Sequence, residues 1–148
     1  MPVCARIVRV GAIVAMLAVG TGLALWGAVP PASPHNLLLF YVGADDCLPC
    51  RTWQEEAGAR FRSSPEFARV VYREVKSPHL LDLLEDRYWP DELRRYRDRL
   101  DRGSGVPLWL VIADDEIVAQ ASGVSQWRST IFPKLTSLLR RAQSNPWQ

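Results

Sequence analysis

Apolar residues in this chain fall in blocks, and the blocks have different periods. From Val10 to Val29 there is no charged residue. As a helix, a run of about 20 residues spans about 30 Å, the thickness of a bilayer core. A proline-rich stretch follows. Leu37–Val42 is then apolar at every position and is bounded by Asn36 and Gly43, which predicts a strand buried on both faces. From Cys47 onward, Trp53, Ala57 and Phe61 recur every fourth residue. That is one apolar helix stripe, ending near Ser63-Ser64-Pro65.

Val70–Val75 predicts a second strand. Leu80, Leu81, Leu83 and Leu84 predict a helix in two pieces, broken before Pro90, whose polar second half, Asp91 to Asp101, lies on the surface. Gly103-Ser104-Gly105 is a joint. Val106–Ala113 predicts a strand, Asp114-Asp115 a tight turn, because Asp tolerates the left-handed region, and Glu116–Ala121 the partner strand. Ser125 opens a last helix with Trp127, Ile131, Leu135, Leu138 and Leu139 on one face; Pro133 inside it predicts a kink or a late start. The first two strands are joined by a helix and are expected to be parallel, the last two to form an antiparallel hairpin. The expected architecture is α/β: a four-stranded mixed sheet with helices on both faces.

The 148 residues suffice for one domain. Arg6 and Arg9 precede the long apolar run, and no Lys or Arg follows it until Arg51. The positive-inside rule places Met1–Arg9 in the cytoplasm and everything after Val29 outside. A cleavable signal peptide has the same charged start. The run exceeds a usual signal core, and Trp26 occupies a position that cleavage after Ala28 needs small; both favour a signal-anchor helix. Either way the destination is the extracytoplasmic side. Of 18 basic residues, two precede the run, which leaves sixteen against sixteen acidic ones outside. A neutral domain has no field to steer nucleic acid. Arg94, Arg95, Arg97, Arg99 and Arg102 are interleaved with Asp91, Glu92, Asp98 and Asp101, the pattern of an ion-paired, solvated helix.

Of three cysteines, Cys4 lies before the apolar run and is read as incidental. Cys47 and Cys50 form the exported pair Cys47-Leu48-Pro49-Cys50, between a buried strand and a predicted helix. Thiols so spaced can close a disulfide when the first caps the helix and the second lies in its first turn, and can then pass two electrons to another dithiol. Other chemistries remain. Half of a zinc site would need two more ligands; only His35 and His79 are available outside, neither at ligand-like spacing. A purely structural disulfide across two residues stabilises little, because the entropy gained grows with loop size.

A buried strand, a Cys-x-Pro-Cys opening a helix, and Gly105-Val106-Pro107 before an apolar hairpin closed by Gly123 together resemble the thioredoxin superfamily, from about Asn36 to about Arg141. With that resemblance the chain divides into a cytoplasmic stub and signal-anchor helix (1–29), a stiff Pro-rich spacer (30–36), a thioredoxin-like domain (37–142) and a tail (143–148). Free N–H groups and the positive end of the helix dipole favour the Cys47 thiolate, making it the expected nucleophile. Cys50, one turn in, is the expected resolving thiol. Pro49 suits a first turn, where its missing N–H costs nothing. Leu48, Pro49, Arg51 and Asp46 are the expected supporting residues, with Asp45 and Asp46 raising the thiol pKa and Arg51 lowering it.

The resemblance further implies a cis bond before Pro107, with Val106 offering its backbone to a substrate strand. It associates a proline before the second cysteine with reducing members; the two extremes of the superfamily differ by ~150 mV, ~7 kcal/mol for two electrons. Asp46 replaces the usual tryptophan before the first cysteine, Tyr41 the usual buried acid, and Leu48 the usual glycine. These departures suggest a dedicated exported relative, like the anchored reductases of cytochrome c maturation or periplasmic sulfur metabolism. The expectation is a single-pass inner-membrane protein-disulfide oxidoreductase, its catalytic domain periplasmic, served by a membrane electron donor and needing no cofactor or metal beyond its own redox-active disulfide. The alternative is a copper metallochaperone that holds Cu(I) through the same two thiols.

Overall fold

The computed structural model describes residues 36–100 and 103–144. The apolar run 10–29 and the spacer before Asn36 lie outside the described residues, as do the signal-anchor and cleavage readings that rest on them. Among the described residues, no helix is long and apolar enough to cross a membrane.

Strand β1 (Leu37–Ala44) leads through a short turn into helix α1 (Leu48–Trp53). The helix continues through a π-helical stretch, Gln54–Gly58, into α2 (Ala59–Arg62). Strand β2 (Val71–Ser77), helix α3 (Asp91–Arg97), strands β3 (Leu108–Ala113) and β4 (Glu116–Ser122), and a last helix follow. That last helix is α4 (Val124–Gln126), a π-helical stretch Trp127–Ile131, and α5 (Phe132–Ser144). The sheet order is β2-β1-β3-β4. β1 pairs with β2 in parallel and with β3 antiparallel, and β3 pairs antiparallel with β4. The expected mixed four-stranded sheet is present.

Side chains of β1 alternate between two cores, as the pleat dictates. Leu39 and Tyr41 join Trp53, Phe61, Trp109 and Trp127 on one face; Phe40 and Val42 join Trp89, Leu93, Tyr96 and Leu110 on the other. Trp89 and Trp109 are therefore core residues. Asp114 (φ 50°) and Asp115 (φ 69°) both adopt the left-handed conformation that a two-residue hairpin turn requires.

Two sequence expectations need correction. The leucine-rich segment forms no helix before Pro90; it makes two 3₁₀ turns, Leu80–Asp82 and Asp86–Tyr88. Trp89 Nε1 donates to the Leu83 carbonyl at 2.7 Å, taking an acceptor that a continuing helix would use. Helix α3 is not wholly a surface element, since Leu93 and Tyr96 are buried. The arginines around them are ion-paired as expected: Arg94 with Asp91, Arg95 with Asp115, Arg97 with Asp86 and Asp98, Arg99 with Glu116. Finally, the last helix opens before Pro133 through α4 and a π-helical stretch, and its regular α-helical part, α5, starts at Phe132, in keeping with the late start expected there. The wider turn Trp127–Ile131 just before Pro133 relaxes the clash between its ring and the preceding turn.

Candidate active site

The C-terminal end of β1 delivers the chain to Cys47 by way of Ala44, Asp45 and Asp46. The Asp45 and Asp46 N–H groups donate to the Ser77 and Pro78 carbonyls (2.9 and 3.2 Å), tying this loop to the end of β2. Cys47 is the N-cap of α1 in extended conformation, and Pro49 lies in the first turn. Cys47 and Cys50 are joined in a disulfide, their Cα atoms 5.2 Å apart. The Cys50 N–H points at Cys47 Sγ, 3.2 Å away. In the dithiol state, that donor and the helix N-terminus favour the ionised form of Cys47 over the neutral thiol. Both residues are buried, Cys47 (8% exposed) less deeply than Cys50 (2%).

The supporting residues expected from the sequence take distinct places. Leu48 and Pro49 are exposed on the outer surface of the turn. Arg51 Nη1 donates to the Asp45 carbonyl oxygen at 2.8 Å and so braces the loop. Asp46 turns toward the 3₁₀ segment: its Oδ1 accepts from the Leu80 N–H at 2.9 Å, and its Oδ2 faces His79 Nδ1 at 3.5 Å. Asp45 faces Lys76 at 3.7 Å. Both carboxylates thus have a partner of their own. The Val106–Pro107 peptide is cis. Val106 packs against the small cluster of Ala44, Cys47 and Cys50. The Pro107 carbonyl accepts from Gly123 N–H at 2.8 Å, anchoring the loop to the end of the hairpin.

Tyr41 occupies the position read as lacking an acid. It is buried and stacked on Trp53, ring centroids 4.9 Å apart. Desolvation pushes its phenol up to about 12, against an opposing hydrogen bond from Gln54. It is therefore a neutral group at physiological pH and not a base. A small cavity of about 110 Å³ opens beside it, lined by Cys50, Gln54, Glu55 and Lys76 as well. Glu55 and Lys76 were not foreseen as neighbours of Cys50. Sheet register brings Lys76 there: it pairs with Gly43, just before the turn into the cysteines. Among the described residues, no group of three or more His, Cys, Asp or Glu is placed to hold a metal ion.

No family model and no curated protein sequence matches the chain. Among solved structures, the reduced periplasmic thioredoxin SoxS from Paracoccus pantotrophus is similar at 18% identity and a TM-score of 0.45, over 72% of this chain and 99% of that one. The germline-specific thioredoxin Deadhead of Drosophila melanogaster is similar at 15% identity and a TM-score of 0.44, over 67% and 79%. The Malassezia sympodialis thioredoxin Mala s 13 is similar at 11% identity and a TM-score of 0.46, over 70% and 81%. The four-stranded mixed sheet, with the Cys47–Cys50 pair at the first helix and a cis peptide before Pro107, fits the thioredoxin-like α/β fold expected from the sequence.

Proposed function

We propose that this chain is a thiol–disulfide oxidoreductase that reduces protein disulfides outside the cytoplasmic membrane, to which its apolar run 10–29 tethers it. The observation that carries the chemistry is the Cys47–Cys50 pair at a helix start, with the Cys50 N–H aimed at Cys47 Sγ. In the reducing direction, the Cys47 thiolate attacks one sulfur of the client disulfide, and the other client sulfur leaves as a thiolate and takes a proton. Cys50, having lost its proton, attacks Cys47 Sγ in the mixed disulfide and expels the second client thiolate. The client gains two electrons and two protons, and Cys47–Cys50 becomes the disulfide. With Tyr41 in place of an acid, the polar cavity beside Cys50 is the route by which its proton leaves. An external dithiol, carried by a membrane donor, must then restore the reduced pair. Val106, beside cis Pro107, is positioned to meet the client backbone.

The reduced full chain is expected to reduce insulin. Cys47→Ser abolishes the reaction, whereas Cys50→Ser accumulates a mixed disulfide through Cys47 that a reductant releases. A Cys47–Cys50 potential near −270 mV accords with a reductant, and one near −120 mV would reverse the assigned direction.

A further inference from the structure

Among the described residues, three arginines have neither a hydrogen bond nor an ion pair: Arg60, Arg128 and Arg140. Two of them, Arg60 and Arg128, line one cavity of about 320 Å³. Its walls are Ala57, Phe61, Trp127 and Phe132, and among the described residues no carboxylate lines it. Phe61 and Trp127 are buried. The three rings pack on one another, with centroids 5.2, 5.8 and 6.4 Å apart. Both arginines are exposed. The cavity thus has an aromatic floor and a cationic rim, and its volume is that of a small-molecule site. Ala57 belongs to one π-helical stretch, and Trp127 and Arg128 to the other. Such interruptions of an α-helix frequently lie at functional sites.

An arginine offers its N–H donors in a planar fork that matches a carboxylate or a phosphate. Two unpaired guanidinium groups over an aromatic floor therefore suit an anion with an apolar body. We propose that this cavity binds small amphipathic acids. The aromatic or aliphatic body lies on Phe61, Trp127 and Phe132, and the carboxylate or phosphate meets Arg60 and Arg128. The body enters first and the acid stays at the mouth. That orientation selects a free acid over a bilayer lipid, whose headgroup would arrive first while its tails stay in the membrane. Neither cysteine lines the cavity. Trp53 links the two regions, its ring centroid 5.0 Å from that of Trp127 and 4.9 Å from that of Tyr41. Binding here needs no redox step, so it stands apart from the dithiol function above.

The test uses the oxidised full chain in phosphatidylcholine nanodiscs, titrated by calorimetry with 2-naphthoate and 2-naphthyl phosphate. Uncharged 2-naphthylmethanol, acetate and inorganic phosphate serve as comparisons. Both naphthyl acids are expected to bind about tenfold or more tighter than the alcohol, the scale of a charge-assisted hydrogen bond. Acetate and inorganic phosphate, which lack the ring, are expected to bind about tenfold or more weaker than the naphthyl acids. Arg60→Gln with Arg128→Gln brings acids and alcohol to within about twofold of each other. Arg140→Gln, the third unpaired arginine and outside the cavity, leaves every affinity unchanged. Equal affinity of the wild type for acids and alcohol would overturn the site. Retention of the acid preference by the folded double variant would overturn it too. Inorganic phosphate binding as tightly as 2-naphthyl phosphate would reduce the site to a surface charge and sink the proposal. The double variant is expected to reduce insulin at the wild-type rate; a loss there that matches the loss of acid binding would assign the arginines to a protein client instead.

Discussion

Tyr41 shows how one side chain near the sulfurs changes what the site can do. It is stacked on Trp53 with its phenol pushed up to about 12 from 10.0, chiefly by desolvation. Tyr72 is raised as well, by burial and by the neighbouring Glu74. A group whose folded pKa lies above its unfolded value stabilises the fold fully below the unfolded pKa, and that stability is lost as pH rises through the folded one. These tyrosines therefore contribute no pH dependence between pH 6 and 9, and stability falls from about pH 10 toward about pH 12. Urea unfolding across that range is expected to show the loss, and Tyr41→Phe to flatten its own part of it. The cysteine pair was legible in the sequence because residue type and local spacing encode its chemistry, whereas the cis bond before Pro107 was what the family resemblance implied. Lys76 and Glu55 beside Cys50 were not legible, because sheet register and helix phase bring them there.

The helix after Cys47 was legible as an element, from the four-residue spacing of Trp53, Ala57 and Phe61, but its π-helical middle was not. Gly58 shows what that middle requires. A Cβ there would lie 2.9 Å from the Trp53 ring and 3.0 Å from the Trp53 carbonyl oxygen. Trp53 is fully buried and held between Tyr41, Trp109 and Trp127, so it cannot yield. Helix propensity alone would reward Gly58→Ala by about 1 kcal/mol. Overpacking against a fixed ring and backbone costs about 1–3 kcal/mol and decides the sign. Thermal unfolding of Gly58→Ala is expected to show a lower midpoint than the wild type. The leucine segment was misread for a related reason. Leu80, Leu81, Leu83 and Leu84 have helical spacing, yet only Leu83 is buried, and the indole of Trp89 claims its carbonyl.

Across the described domain, the sheet separates two apolar cores that share no residue, and the sulfurs belong to neither. Strand number and the two sequence-adjacent pairings, β1 with β2 and β3 with β4, were legible from the apolar runs, the intervening helix and the Asp114-Asp115 turn; the β1–β3 pairing that joins them was not. Nor was the cavity rimmed by Arg60 and Arg128, since it forms where two helices distant in sequence meet. The disulfide closes a very short loop, worth roughly 2 kcal/mol or less in the chain-entropy account. Oxidised and reduced chains are accordingly expected to unfold in urea within about that difference; a much larger gap would mean that the cores depend on the sulfur bridge. With both layers assembled independently of it, the Leu48-Pro49 dipeptide becomes an exchangeable part. Swapping it is expected to shift the reduction potential of the pair while urea unfolding of the scaffold stays as it was, which a redox titration beside an unfolding curve would check.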